Sequence, residues 1–333
     1  MKIEKKINWG ISTDLQADIR LEPNACKLYV MDISLGCPFQ CIYCLFSPLE
    51  LMVYKLQNPG YQGDVLSLKL DKFLAREEFP PVVYLSYASD PLGNQELITN
   101  TITVIKKLFS HHVHILLITK GFFTDELLQV IRLRPDLMEV QVGVSNCDGK
   151  RNKIIEPGAP SYEKRRENLK KLASVEGLRS LVVRLDPLFP GIDDTEDNIK
   201  TVIGDAADLG VKRAVISYLV LTPGMKNNLR ANAFTRPAVE SLTEKTPTIS
   251  QQELYSFPFD KKIEKFIRFD EICRNNGIKM SVCGCKEHRF KETNFGWTCF
   301  PFFTKEKREE LSKNSRVKLD TSHLKCHDLT IEK

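Results

Sequence analysis

Three cysteines lie within eight residues of the chain, in the stretch GCPFQCIYC, as Cys37, Cys41 and Cys44. Thiolates bind soft metals, and this C-x3-C-x2-C spacing differs from the paired C-x2-C units that are typical of structural zinc sites. Three thiolates on one short loop suit a 4Fe–4S cluster, in which three irons are held and the fourth stays open to an exchangeable ligand. A zinc site with a distant fourth ligand and unligated buried thiols are the two alternatives.

A second set of cysteines lies near the end of the sequence, where four of the ten cysteines fall within residues 283–326. A C-x-C pair with two more distant cysteines can hold an auxiliary iron–sulfur cluster or a structural zinc ion. Unligated thiols are the third interpretation. We expect a metal site here and favour an iron–sulfur cluster over zinc. The candidate ligands are Cys283, Cys285, Cys299 and Cys326, with His288, His323 and His327 nearby.

Short apolar runs rich in β-branched residues alternate with amphipathic stretches, and this alternation predicts the framework that carries the first cysteine group. Six strands are predicted at 27–34, 82–87, 114–120, 139–145, 180–186 and 214–220. Helices are predicted near 64–78, 94–110, 124–133, 161–176 and 194–209. Thr124, Ser161 and Asp194 are the predicted N-caps. The fold class is therefore predicted to be α/β, a partial (β/α)6 TIM-type barrel around a parallel sheet.

The pattern changes after the sixth predicted strand. Residues 221–258 contain several prolines and little periodicity, which predicts a long loop or lid. An amphipathic helix is predicted at 260–276. We therefore expect a barrel core over 1–220, a lid and last barrel helix over 221–277, and a small Cys/His-containing extension over 278–333.

Polar residues stand at the same end of five of the six predicted strands. The cysteine group follows the first strand, Ser89 and Asp90 the second, Lys120 the third and Ser145 the fourth, and the fifth contains Arg184. Catalytic groups of parallel barrels lie on the loops after the carboxyl ends of the strands. The sequence therefore predicts that these residues form one site on one rim.

The composition narrows the class of protein further. The 333 residues carry a net charge of +5, which permits an anionic partner without requiring one. The longest apolar run near a motif, VHILLI, is far too short to cross a bilayer, and the first residues lack the apolar segment of a secretory signal. Ten cysteines then favour metal or redox chemistry over a disulfide framework. We expect a cytoplasmic protein without a membrane segment.

The stretch LGCPFQCIYC, with an aromatic residue before the last cysteine, resembles the cluster loop of the radical S-adenosylmethionine (SAM) superfamily. Within it the chain resembles spore photoproduct lyase and its relatives over roughly residues 27–225. Further matching stretches are YASDPLGNQE (87–96), ITKG (118–121), IIEPGAPSYEKRRENLKKL (154–172) and VVRLDPLFPGIDD (182–194). The resemblance implies a partial barrel, SAM bound to the open iron, and its cleavage by one electron to methionine and a 5′-deoxyadenosyl radical. An electron donor such as flavodoxin or ferredoxin is implied as a partner.

The resemblance also implies roles for single residues. Tyr43 is expected beside the adenine of SAM, and Ser89 and Asp90 at its amino-acid end. Lys120 and Ser145 are expected at its carboxylate or ribose. For Lys120 and Ser145 an ordinary strand-end charge and a turn residue are the alternatives.

Two further residues complete the expected site. Arg184 is expected to line the same cavity, with an ordinary strand-end charge as the alternative. Tyr87 stands where spore photoproduct lyase has the cysteine that returns a hydrogen atom to its product, and a tyrosine O–H can also donate a hydrogen atom. Tyr87 is therefore the candidate catalytic residue. Because of this departure, we carry over the SAM chemistry and not the substrate.

Three function hypotheses follow. The first is a radical SAM enzyme, of lyase or oxidoreductase type, that abstracts hydrogen from a nucleic-acid base. The second is radical SAM modification of a peptide or small molecule, assisted by an auxiliary cluster. The third, from another class, is a non-catalytic metal- and SAM-binding module.

Overall fold

The computed structural model describes residues 19–21, 29–31, 33, 37–44, 70–71, 74–75, 82–86, 89–247 and 253–296. The strands are β1 (Ile19–Leu21), β2 (Tyr29–Met31), β3 (Val82–Leu85), β4 (His114–Thr119), β5 (Met138–Gly143), β6 (Ser180–Leu188), β7 (Arg213–Tyr218), β8 (Val220–Leu221), β9 (Glu244–Pro247), β10 (Glu253–Ser256) and β11 (Lys279–Val282). The helices are α1 (Gln95–Ser110), α2 (Asp125–Leu133), α3 (Gly149–Ile155), α4 (Tyr162–Ala173), α5 (Glu196–Asp208), α6 (Pro223–Ala231), α7 (Arg236–Glu240) and α8 (Phe259–Asn275).

The main sheet has eight strands in the order β1-β2-β3-β4-β5-β6-β7-β11. Neighbours from β2 to β11 pair in parallel, and β1 is antiparallel to β2. Helices follow β3 to β6 in the chain, as right-handed crossover units require. The prediction of an α/β fold with six parallel neighbouring strands is confirmed. One further parallel strand, β11, comes from the region that the sequence analysis assigns to the extension.

The helices after the strands begin at side-chain caps. Thr124 Oγ1 accepts a hydrogen bond from Leu127 N at 3.3 Å, and Ser161 caps α4 in the same way, as predicted. The predicted cap at Asp194 is wrong, because Thr195 caps α5. The Asp194 carboxylate instead accepts hydrogen bonds from Gly191 N at 2.6 Å and from the Tyr218 hydroxyl at 3.0 Å. Its side chain is therefore engaged with the loop before the helix and with β7.

The segment after β7 has more regular structure than the sequence suggests. Instead of a long loop over 221–258, α6 and α7 pack beside a three-stranded antiparallel sheet in the order β8-β10-β9. These strands are two to four residues long and α7 has five residues, so none is long enough to produce a readable hydrophobic period.

Alternate side chains of the sheet belong to two separate cores, because successive strand residues point to opposite faces. The helix-covered face contributes Val83, Ile115 and Val183 to the main hydrophobic core. The other face holds a smaller cluster composed of Val82, Leu116, Val182 and Val215, with Tyr84, Ile118 and Cys285 packed against it. This second face is the one that leads to the polar residues described below.

Among the described residues, none of the helices combines the length and apolar character that a bilayer crossing needs.

Glu139 on β5 lies on the same face of the sheet as the smaller cluster, and the pH dependence of stability tests its burial there. Its side chain is fully buried; Oε1 accepts a hydrogen bond from Gln141 Nε2 at 2.8 Å, while Oε2 has no hydrogen-bond partner among the described residues. Burial raises the pKa of Glu139 from 4.5 to about 7, against the opposing effects of Gln141 and Arg213. The folded protein thus binds this proton more tightly than the unfolded chain does. The stabilisation is present in full below pH 4.5 and is lost as the pH rises through about 7.

We therefore expect Glu139→Gln to remove this loss of stability with rising pH. The free energy of unfolding of the wild type, minus that of the variant, should fall between pH 4.5 and about 7 and then level off. Urea titrations across this range measure the difference. Parallel pH profiles for the two proteins would contradict the assignment.

Candidate active site

A cavity of about 270 Å³ opens at the carboxyl ends of the parallel strands. Residues from seven separate parts of the chain line it. Of the predicted site residues, those that line it are Tyr43, Cys44, Ser89, Asp90, Lys120 and Arg184. The prediction that residues following different strands meet at one rim therefore holds for these six.

The cysteine loop is attached by backbone hydrogen bonds to the last residue of α3 and to the segment that follows it. Ile42 N donates to Ile155 O at 3.1 Å, and Gly158 N donates to Phe39 O at 3.0 Å. A Cβ at position 158 would lie 2.6 Å from Pro38 O and 2.8 Å from Phe39 Cα. Glycine at 158 thus permits the close approach of the two backbones that holds the loop in place.

Substitution of Gly158 tests this attachment. We expect Gly158→Ala to destabilise the fold by about 1–3 kcal/mol, because the clashing atoms belong to backbone. Gly204→Ala is the matched control: a Cβ there meets nothing within 4 Å, and inside α5 it should stabilise by about 0.5–1 kcal/mol. Denaturant unfolding measures both changes. Equal effects of the two substitutions would contradict the close-contact argument.

The three cysteines of the loop are free thiols that lie close enough to influence one another. Burial, Asp90 and the Cys41 thiol all raise the pKa of Cys37, and Cys44 raises it further. Mutual repulsion of this kind is relieved when the thiolates bind a cation, which deprotonates its thiol ligands. Cys44 lines the cavity, and together the three thiols would supply three thiolate ligands to an iron–sulfur cluster at its edge.

Asp90 and Lys120 are fixed to each other at the end of β4. Asp90 Oδ1 accepts hydrogen bonds from Leu92 N at 3.0 Å and Thr119 Oγ1 at 2.6 Å, and Oδ2 accepts one from Lys120 N at 2.8 Å. The Asp90 carboxylate is thus largely occupied by the protein. Its neighbour Ser89 has a buried Oγ with no hydrogen-bond partner among the described residues, which leaves that hydroxyl available to a ligand.

Glu156 lies at the centre of a buried charge network that the sequence analysis does not identify. Its carboxylate accepts a hydrogen bond from the Tyr43 hydroxyl at 2.7 Å and pairs with Arg165 at 2.6 Å, Arg151 at 3.6 Å and Lys120 at 3.9 Å. Burial would raise the pKa of Glu156, but these three cations together hold it well below its ordinary value. The carboxylate is therefore ionised, and it connects Tyr43 of the cysteine loop to α3, α4 and the end of β4.

The far wall of the cavity carries a second charged group. Arg184 donates to Asp186 Oδ2 from Nε at 3.1 Å and from Nη2 at 2.6 Å, and to Gln141 Oε1 at 2.8 Å. Lys286, which follows β11, pairs with Asp186 Oδ1. Burial raises the pKa of Asp186, but Lys286 and Arg184 outweigh it and lower the pKa below its ordinary value. Asp186 and Lys286 were not predicted, because sequence patterns do not reveal that a residue after β11 reaches β6.

Of the other predicted site residues, those that the structure describes do not line the cavity. Ser145 is fully buried and outside the lining; its Oγ lacks a hydrogen-bond partner among the described residues. Cys283 is buried at the end of β11, and Cys285 packs against the inner-face cluster. Tyr87, Cys299 and Cys326 lie outside the described residues. Within the described ranges, no three Cys, His, Asp or Glu side chains are grouped to hold a single metal ion.

The fold and the site define a class: parallel α/β proteins with a thiol-rich loop after the first parallel strand and a polar cavity at the carboxyl ends of the strands. The model of the Radical SAM superfamily matches residues 31–203, slightly more than half of the 333 residues. The chain belongs to the Radical SAM superfamily. The family implies a 4Fe–4S cluster and SAM.

Individual relatives are more distant. The uncharacterized protein MJ0683 of Methanocaldococcus jannaschii is 27% identical over 172 residues, which cover 50% of this chain and 63% of that protein. A mutant spore photoproduct lyase with bound AdoMet and dinucleoside spore photoproduct has a similar structure, with a TM-score of 0.62, 16% identity, and coverage of 82% of this chain and 80% of that chain. Streptococcus suis SuiB bound to precursor peptide SuiA is similar at a TM-score of 0.51 and 10% identity, over 78% of this chain and 49% of that chain. At these identities the structural likeness concerns the fold.

Proposed function

We propose that this protein is a radical SAM enzyme built on a partial (β/α)6 barrel. Cys37, Cys41 and Cys44 would hold the 4Fe–4S cluster, and SAM would occupy the cavity beside Cys44. The observation that carries the proposal is that Cys44 of the cysteine loop and five of the six predicted SAM contacts line one cavity. When bound, the cluster and SAM supply one-electron cleavage of the sulfonium and a 5′-deoxyadenosyl radical that abstracts a hydrogen atom from the substrate.

The chain's own residues bind and orient in this proposal. The Lys120 ammonium is held in place by Glu156 and faces the cavity, where it can pair with a carboxylate. Ser89 Oγ can donate to or accept from a polar group of SAM, because the protein leaves it unpartnered within the described residues. Tyr84 and Ile118 form an apolar floor that limits access of water from the inner face.

Formation of 5′-deoxyadenosine tests the chemistry. Protein reconstituted anaerobically with iron and sulfide, then given SAM and dithionite, is expected to release 5′-deoxyadenosine and methionine. Reactions without dithionite provide the background. A protein that holds about four irons per chain yet releases no 5′-deoxyadenosine would overturn the proposal.

We propose a nucleic-acid base as the substrate. The support is the fold shared with spore photoproduct lyase, a protein solved in complex with dinucleoside spore photoproduct, and the net charge of +5. Lys286, Leu219 and Val220 line the cavity from outside the family-matched residues, so they are suited to contact a substrate rather than SAM. Tyr87 is the proposed hydrogen-atom donor, flavodoxin or ferredoxin the proposed electron donor, and the cytoplasm the proposed location.

Oligonucleotides test the substrate class. We expect single-stranded DNA or RNA to raise the yield of 5′-deoxyadenosine. We also expect its binding affinity to fall steeply between about 50 and 200 mM salt, because contacts with backbone phosphates release counterions. A 5′-deoxyadenosine yield that rises with peptides and not with oligonucleotides would reject a nucleic-acid base and favour modification of a peptide or small molecule. Binding of SAM without any cleavage would favour a non-catalytic metal- and SAM-binding module.

The C-terminal cysteines are proposed to hold a second metal site. In the variant with Cys37, Cys41 and Cys44 all replaced by alanine, about four irons per chain with matching sulfide should remain. Zinc in place of iron would assign a structural zinc site to Cys283, Cys285, Cys299 and Cys326. A variant free of both metals would reject the site.

A further inference from the structure

Two buried opposite charges lie beside the cysteine loop at Cys41. Glu156 Oε1 accepts a hydrogen bond at 2.7 Å from the hydroxyl of Tyr43, two residues after Cys41, and the Lys120 ammonium faces the ring of the same tyrosine. Ile42 N, next to Cys41, donates to Ile155 O, next to Glu156, at 3.1 Å. The ion pair of the two charges, Lys120 Nζ to Glu156 Oε1, measures 3.9 Å. A negative charge added at Cys41 would therefore be attracted by Lys120 and repelled by Glu156.

Neither charge is screened by bulk water. Glu156 is 1% exposed, and the Lys120 side chain is 19% exposed, toward the cavity. The Lys120 ammonium lies 5.5 Å from the centre of the Tyr43 ring, which covers it on one side. Gly143 leaves the space that the Lys120 chain occupies, since a Cβ there would lie 2.8 Å from Lys120 Cγ. In such a site charge interactions are several times stronger than at the surface.

The two groups are held differently. Glu156 is also bound by Arg151 and Arg165, so its position does not depend on Lys120. Asp193 neutralises Arg151 through two hydrogen bonds, at 2.8 and 2.5 Å. Asp90, a further described charge near the loop, is occupied by hydrogen bonds from Leu92 N, Thr119 Oγ1 and Lys120 N. Lys120 is a cation of this network that also lines the cavity.

We propose that Lys120 and Glu156 set the reduction potential of the cluster held by Cys37, Cys41 and Cys44, with opposite signs. The reduced cluster carries one more negative charge than the oxidised cluster, and nearby net charge is one of the protein's means of tuning its potential. Lys120 favours reduction and Glu156 opposes it. The inference rests on the proposed function, because it requires the cluster.

Redox titration of the cluster-loaded protein, followed by electron paramagnetic resonance in the absence of SAM, tests this pair. We expect Lys120→Met to lower the potential and Glu156→Gln to raise it, each by at least a tenfold change in the reduction equilibrium, about 59 mV for one electron. Lys120→Arg keeps the charge and should restore the wild-type potential. Because SAM is left out, a role of Lys120 confined to SAM binding would leave the potential unchanged.

Lys150→Met and Glu163→Gln are the matched controls, since both residues are exposed and solvent screens their charges. Both should keep the wild-type potential. Unchanged potentials in Lys120→Met and Glu156→Gln, or shifts in the same direction, would overturn the inference. If Glu156→Gln retains no iron, the inference is tested by the difference in reduction potential between Lys120→Met and Lys120→Arg alone. A wild-type protein that binds no cluster would instead refute the proposed function, and the inference with it.

Discussion

Replacing Cys41 with alanine is expected to reduce 5′-deoxyadenosine formation to the level of reactions without protein. Cys41 is one of three thiols on the loop, and a cluster with only two remaining protein ligands has no stable attachment at this site. The loss should appear both as iron missing from the loop and as missing product. Far-ultraviolet circular dichroism should be unchanged, because the helices and strands do not depend on this side chain.

Cys147→Ala is the matched control for this result. Cys147 is also a partly buried free thiol, but it packs against the main hydrophobic core and not against the cavity. We expect this variant to keep its iron and its SAM cleavage. If Cys41→Ala retained wild-type cleavage, or if Cys147→Ala lost as much, the assignment of the cluster loop would be wrong.

Arg151→Met is expected to have the largest effect on stability, a loss of about 3–5 kcal/mol in the free energy of unfolding. Arg151 is 1% exposed and binds both carboxylate oxygens of Asp193. It also pairs with Glu156 at 3.6 Å. Methionine fills similar space but leaves a buried carboxylate without its cation, and that uncompensated charge accounts for most of the loss.

The comparison variant is Arg230→Met. Arg230 pairs with Glu240 at 3.1 Å, but their side chains are 61% and 48% exposed. An exposed pair of this kind contributes about 0–1 kcal/mol. Urea unfolding of both variants measures the contrast. A loss below about 1 kcal/mol for Arg151→Met would mean that the buried network does not stabilise the fold as its geometry implies.

The parallel sheet could be predicted from the sequence because its signal is local. The strands are short apolar runs, and β3 to β6 are each followed by helices with their own side-chain caps, so six strands and several helix starts are readable without knowing their neighbours. The elements that were not foreseen are short. The antiparallel sheet β8-β10-β9 and helix α7 contain too few residues to establish a period.

The site was predictable only where its residues follow strands. Lys120 and Ser89 could be placed on the rim because the carboxyl ends of parallel strands share one edge. Glu156 could not, because its environment is made by residues distant in sequence, such as Tyr43, 113 positions away. Glu156 directly follows the apolar pair Ile154 and Ile155, which is a local sign of a buried carboxylate. Lys286 carries no such sign.

The attachment of the cysteine loop to the segment after α3 has a consequence for how the protein matures. The loop's shape depends on hydrogen bonds to Ile155 and Gly158. These two residues are synthesised more than a hundred residues after Cys44. Closing so long a segment costs chain entropy, which the packing of the surrounding sheet and helices must offset. The loop therefore takes its final shape late in folding, and the proposed cluster would be loaded only after the parallel sheet has formed.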